Sequence, residues 1–215
     1  MEGAFREVIY SKAELEEHLD YLKCKLWYDG SVSSRRLFAA IYFCSVTGAR
    51  RSEITRIRVE DVRLDDLQVV LWRRKGRKDK DLVPHRVSIT NELVPYLKGV
   101  IHQLPEGQLS VFCADDAHID GVSFDEAIER GKADYLHKQL TEALRGSKYS
   151  SAVSWHIYRH TLASLLLLAG HPQSIVMETI GWCSTEMANR YSHLATERKQ
   201  QVIQDVFSSS DKKSG

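Results

Sequence analysis

The stretch from about Ser34 through Val46 constrains the fold most. Its residues, SRRLFAAIYFCSV, read as a helix through Leu37, Ile41 and Val46 that is apolar nearly all round. A helix without a polar face belongs in a core, so other elements must wrap it. Ser11-Lys-Ala-Glu14 is a capping box that opens an earlier helix, with Leu15, Leu19, Leu22 and Leu26 on one face. Gly48 breaks the central helix, and a short third helix follows through Ser52, Ile54 and Ile57. Further helices are expected from a Thr90 cap to before Pro105, and at about 132–145, 154–169, 173–180, 184–192 and 196–206.

Residues 68–88 depart from this helical pattern. QVVLWRR and LVPHRVSI are β-prone and flank the charged turn KGRKDKD, so the segment reads as a β-hairpin with Lys75, Arg77, Lys78 and Lys80 at its tip. A short strand is expected around Ser110–Cys113, and an irregular acidic loop over 114–131. The fold class is therefore mostly α with a small antiparallel β-sheet, with no internal repeat and no clear domain boundary. The polar end SSSDKKSG, residues 208–215, is expected to be a disordered tail.

Composition excludes some classes. The four cysteines, Cys24, Cys44, Cys113 and Cys183, show no C-x-x-C spacing and read as reduced thiols. No secretory leader is recognisable in MEGAFREVIY, and the longest apolar run, SLLLLAG at 164–170, is too short to span a bilayer. A cytoplasmic, nucleoid-associated protein without membrane contact is expected. The net charge is only +1, yet Arg50 to Lys80 holds eleven basic and six acidic residues, a local patch suited to phosphate backbones.

Three short segments carry candidate chemistry. In Ser154-Trp-His156-Ile-Tyr-Arg159-His160, Ser154 can cap a helix whose first turns bear His156 and Arg159 on one face. A helix start favours anions, and a His and an Arg there suit a phosphate; taken alone, the pair is weak and fits an ordinary surface better. His156 and His160 have metal-ligand spacing. The residues between them include Arg159 and no glutamate, so no metal is expected. In Thr47-Gly-Ala-Arg50-Arg-Ser-Glu53, a glycine turn delivers Arg50 to a helix start, and Glu53 can hold it. In the third, Trp182 offers an indole N–H that never titrates, and Tyr191 follows nine residues later.

Together these segments resemble the tyrosine recombinases, which include phage integrases and chromosome-dimer resolvases. TGARRSEI is similar to that family's first arginine motif, and LWRRKGRKDKDLVP to its lysine hairpin. HIYRHTLAS resembles its H-x-x-R-H-T box, and IGWCSTEMANRYSHL its nucleophile segment. The four matches run in order from residue 47 to 194. The resemblance implies a tyrosine recombinase catalytic-domain fold over 1–207, without the separate N-terminal domain that clamps DNA in the family.

It implies Arg50 and Arg159 on the scissile phosphate, Lys75 as general acid and His156 assisting proton transfer or binding the phosphate. Trp182 takes the place where many members have histidine, and Tyr191 is the nucleophile. Glu53 and His160 are supporting residues, and Arg73, Arg74, Arg77, Lys78 and Lys80 are DNA-binding. The implied partner is double-stranded DNA, held in a homotetramer that a C-terminal helix at 196–207 helps assemble; off DNA the chain is expected to be monomeric. No cofactor is implied. A catalytically silent DNA-binding regulator and a type IB topoisomerase-like enzyme are the competing functions.

Overall fold

The computed structural model describes residues 9–28, 31–74, 81–113, 132–150 and 154–182. Helix α1 (Lys12–Leu22) starts on the expected capping box: Ser11 Oγ accepts from the Glu14 N–H, and Glu14 Oε2 accepts from the Ser11 N–H at 2.7 Å. It runs on into a π-helical turn, Lys23–Trp27, that the sequence pattern does not announce.

The all-apolar helix is α2 (Val32–Thr47), and it occupies the middle of the core. Leu37, Phe38, Ala39, Ala40, Ile41, Phe43 and Cys44 are all buried. Each large apolar side chain removed from water contributes on the order of 1.5–3 kcal/mol, so α2 is the main organiser of the fold. Around it lie the π turn, α4 (Val94–His102), α5 (Lys132–Leu144) and α6 (Trp155–Leu168). Trp27, Phe38, Tyr42 and Tyr96 form an aromatic cluster between α2 and α4, with Trp27 and Tyr96 edge to face at 4.7 Å.

The sheet has three antiparallel strands in the order β1 (Val62–Arg63), β2 (Gln68–Arg74), β3 (Leu82–Ser88). The hairpin expected over 68–88 is β2–β3, with Leu71 opposite His85 and Arg73 opposite Val83. Alternation along β2 turns Val69, Leu71 and Arg73 inward, where α3 (Arg51–Ile54) packs against the strand. On the other face, Trp72 donates its indole N–H to Asp61 Oδ1 at 3.0 Å.

Two expectations fail here. Thr90 does not cap α4. A turn over 91–93 intervenes, and the helix begins at Val94 with Pro95 in its first turn, where a missing N–H costs nothing. Residues 110–113 form no strand: a single bridge joins Ser110 to Arg58, and the rest is bent. Helix α7 (Gln173–Ile180) returns along α6, and Ala163, Leu167, Val176, Ile180 and Trp182 make a second apolar cluster. The acidic loop at 114–131, the helices expected at 184–192 and 196–206, and the tail at 208–215 lie outside the described residues.

Candidate active site

Two helix ends and one arginine frame the site. Helix α2 stops at Gly48 and α7 at Gly181, both left-handed, with φ of 64° and 73°. Only glycine adopts that conformation without strain. Thr47 fixes the first turn: its hydroxyl donates to Phe43 O at 2.7 Å and accepts from the Ala49 N–H.

The last carbonyls of a helix lack intrahelical donors and form the negative end of its dipole. Arg159, one turn into α6 and buried, meets both ends. Its Nη1 donates to Gly48 O and, at 2.9 Å, to Ile180 O. Its Nη2 is buried too and has no hydrogen-bond partner among the described residues. The guanidinium carbon lies 5.9 Å from the Trp182 ring centre, a cation–π contact. Burial first, then the like charge of Arg50, pulls Arg159 down to about 10, so it remains charged at neutral pH.

Arg50 is the N-cap of α3 and is partly exposed. Glu53 holds it twice: Oε2 accepts from the Arg50 N–H and Oε1 from Nη1, both at 2.7 Å. The spacing of three residues predicts this pair, and the structure brings it together. The Glu53 side chain is almost wholly buried, at 3% exposure.

Arg73 requires a correction. It is expected among the DNA-binding residues of the hairpin, yet it shares the inward register of Val69 and Leu71 and is buried. Its Nε forms an ion pair with Glu53 Oε1 at 3.1 Å. Its guanidinium also lies against Gly181, where an added Cβ would fall 1.5 Å from Nη1. The signal was available in the two-residue period of the strand.

His85, which sequence reasoning missed, stands on the same inner face of the hairpin, and its Nε2 is buried. Burial, followed by the charge of Arg73, holds it below the ordinary imidazole range and therefore neutral.

His156 and His160 share α6 with Arg159 but lie nearer solvent. Ser154 caps the helix as expected, accepting from the His156 N–H. His156 is exposed and His160 half-buried, with ring centres 6.2 Å apart. Thus Arg50, Glu53, Arg159 and Trp182 converge, with His156 and His160 on the same helix as Arg159. Arg74 ends β2, but its side chain is outside the described residues, as are Lys75, Arg77, Lys78, Lys80 and Tyr191.

This arrangement meets a match across most of the chain: the pattern of the phage integrase family fits residues 12–198. The chain belongs to that family. Among curated relatives, a tyrosine recombinase XerS of Streptococcus uberis is 24% identical over 212 residues, covering 92% of this chain and 55% of the relative. A tyrosine recombinase XerC of Halalkalibacterium halodurans is 28% identical over 189 residues, covering 87% and 59%. The chain thus spans about half the length of the curated relatives it matches.

Solved structures show the integrase fold. XerH bound to a palindromic difH substrate in a post-cleavage complex has a TM-score of 0.66 at 20% identity, covering 92% of this chain and 53% of that one. The catalytic domain of bacteriophage HP1 integrase has a TM-score of 0.55 at 18% identity, covering 92% and 94%. Among the described residues of this family member, no helix is long and apolar enough to cross a membrane.

Proposed function

We propose that the chain carries the catalytic centre of a site-specific recombinase that cuts and rejoins double-stranded DNA through a 3′-phosphotyrosyl intermediate. The observation behind this is the charge of the cluster: Arg50 and Arg73 pair with the carboxylate of Glu53, and the buried Arg159 lies within electrostatic reach of all three. An excess of buried positive charge is costly unless an anion meets it, and guanidinium forks match the oxygens of a phosphate. The likeness to XerH, a site-specific recombinase seen bound to its difH substrate, supports the same reading.

In this mechanism Arg50 and Arg159 neutralise the charge that builds on the phosphate in the transition state. The Tyr191 oxygen attacks phosphorus, and the bond to the 5′ oxygen breaks. Lys75 gives a proton to that leaving oxygen. His156 assists the proton transfer or hydrogen-bonds the phosphate, and Trp182 donates a hydrogen bond without shuttling protons. A free tyrosine has a pKa of about 10, so Tyr191 needs nearby cations and a proton acceptor to react at neutral pH.

One P–O bond is made for each one broken, so a 5′-hydroxyl can reverse the step and reseal the strand without a metal, nucleotide or cofactor. Glu53 and His160 support the site, while Arg74, Arg77, Lys78 and Lys80 grip the DNA backbone. Assembly is a homotetramer on DNA, with residues 196–207 docking on a neighbour.

The test uses nicked suicide duplexes of randomised sequence, on which religation fails. The chain should form a covalent protein–DNA adduct, and Tyr191→Phe should abolish it. DNA binding without any adduct would overturn the proposal in favour of a silent regulator. Relaxation of supercoils without exchange between sites would instead indicate topoisomerase-like activity.

A further inference from the structure

We infer that Arg73 is a positioning residue for strand cleavage, acting through Glu53 on Arg50 and through Gly181 on Trp182. The inference deepens the recombinase reading and rests on it.

Arg73 joins three parts of the site that are far apart in sequence. It sits on β2, two residues before Lys75. Its Nε reaches Oε1 of Glu53, the same oxygen that accepts from Arg50 Nη1. Its terminal nitrogens lie against the backbone of Gly181, leaving no room for a Cβ. The contact with Glu53 is an ion pair at 3.1 Å.

The chemistry of the carboxylate explains why a cation is needed. Glu53 is buried, and a buried carboxylate paired with one partly exposed arginine would be poorly matched. Arg73 supplies the second cation from the dry side, at 8% side-chain exposure. Arg50 is thereby held from behind, while its exposed side stays available to a phosphate. Arg73 turns its guanidinium onto Glu53 and the Gly181 backbone, so its contribution runs through them. It therefore sets where Arg50, the hairpin base and the turn into Trp182 stand relative to one another.

The test compares Arg73→Met and Arg73→Lys with the natural chain on the randomised suicide duplexes. Cleavage is measured at saturating DNA, with affinity taken separately by gel shift and folding by thermal melting. Misplacement by about an ångström costs roughly 100-fold in rate, so Arg73→Met should cut the adduct-forming rate constant by about that factor with affinity little changed. Arg73→Lys, which keeps the charge, should recover part of the loss.

Because Arg73 acts in part through Glu53, the combined loss from Arg73→Met and Glu53→Gln should fall short of the product of the two single losses. A folded Arg73→Met chain that cleaves at the natural rate overturns the inference, and so do losses that multiply in the double variant. If Arg73→Met fails to fold, Arg73→Lys decides: a folded Lys variant with the natural rate constant also overturns it. Absence of any adduct from the natural chain would instead sink the recombinase reading, so the two failures are distinguishable.

Discussion

Tyr158 and Arg159 are neighbours on α6, yet they serve two buried polar clusters of opposite character. Tyr158 turns toward α1, where its hydroxyl shares a hydrogen bond of 2.8 Å with Nε2 of the fully buried His18. Tyr10 and Tyr149 close over the same imidazole at ring distances of 5.0 and 4.4 Å. Burial drives His18 down to about 4 and Tyr10 up to about 12, so these groups are neutral at physiological pH. Arg159 turns toward the ends of α2 and α7, where the groups remain charged and the positive sign is in excess. A fold can hold itself together with neutral polar groups, which pay only a modest desolvation penalty. Retaining buried, unbalanced charge makes physical sense where an anion is to be bound.

The largest effect expected from breaking this contrast is at Arg159. Arg159→Lys keeps the charge but lacks the planar fork with which one nitrogen serves two helix-end carbonyls while the other can face a phosphate. Adduct formation on suicide duplexes should fall by about 100- to 1000-fold, comparable to losing one donor to a transition-state oxyanion. A fall of less than tenfold in folded protein would show that the two carbonyl contacts, not the anion, are what the residue is for.

Next comes the pH response of the neutral cluster. The folded pKa of His18 lies below its unfolded value near 6.5, so between about pH 6.5 and 4 the unfolded chain binds a proton that the folded chain does not. Stability contributed by neutral His18 is thus full above pH 6.5 and lost as pH falls toward 4, with a slope of up to about 1.4 kcal/mol per pH unit. His18→Gln should remove that part of the slope in urea unfolding curves taken between pH 6.5 and 4.5. Identical slopes in the two proteins would show that His18 charges without cost.

The smallest effect is at the other neighbour. Tyr158→Phe leaves His18 without its hydroxyl partner and should cost on the order of 1–2 kcal/mol of stability. The cleavage rate constant should stay at its natural value, because the change lies outside the charged cluster. Calorimetry and the suicide-substrate assay on the same preparation check both halves; a rate loss without a stability loss would mean that the clusters are coupled through α6.

What could be read from the sequence follows how local each cause is. The capping box at Ser11 and Glu14, the Arg50–Glu53 pair and the Ser154 cap each depend on residues within three positions, and all three are present. The hairpin was legible because β-prone runs flank a charged turn. The charge of Arg73 suggests an exposed DNA contact, while its parity with Val69 and Leu71 points inward, and the structure buries it. His18 lies three residues after Leu15 and four before Leu22, so its burial was signalled by helical spacing that composition obscured. The clasp of Arg159 on Gly48 and Ile180 had no local signal at all, since it joins residues 111 and 21 positions away.

That clasp also bears on the order of assembly. A contact spanning 111 residues must bear the entropy of closing a long loop before it contributes anything, so it belongs late on the folding route. The Tyr10 N–H to Thr161 Oγ1 bond spans 151 residues and shares this delay. During synthesis α2 emerges with its apolar surface bare, and its broadest partner, α6, is more than a hundred residues behind it. The arginine cluster therefore comes together only when α6 docks on the end of α2. A nascent or truncated chain lacking α6 would have neither a finished core nor the buried arginine of the cluster, so the site proposed for cleavage is withheld until α6 has docked.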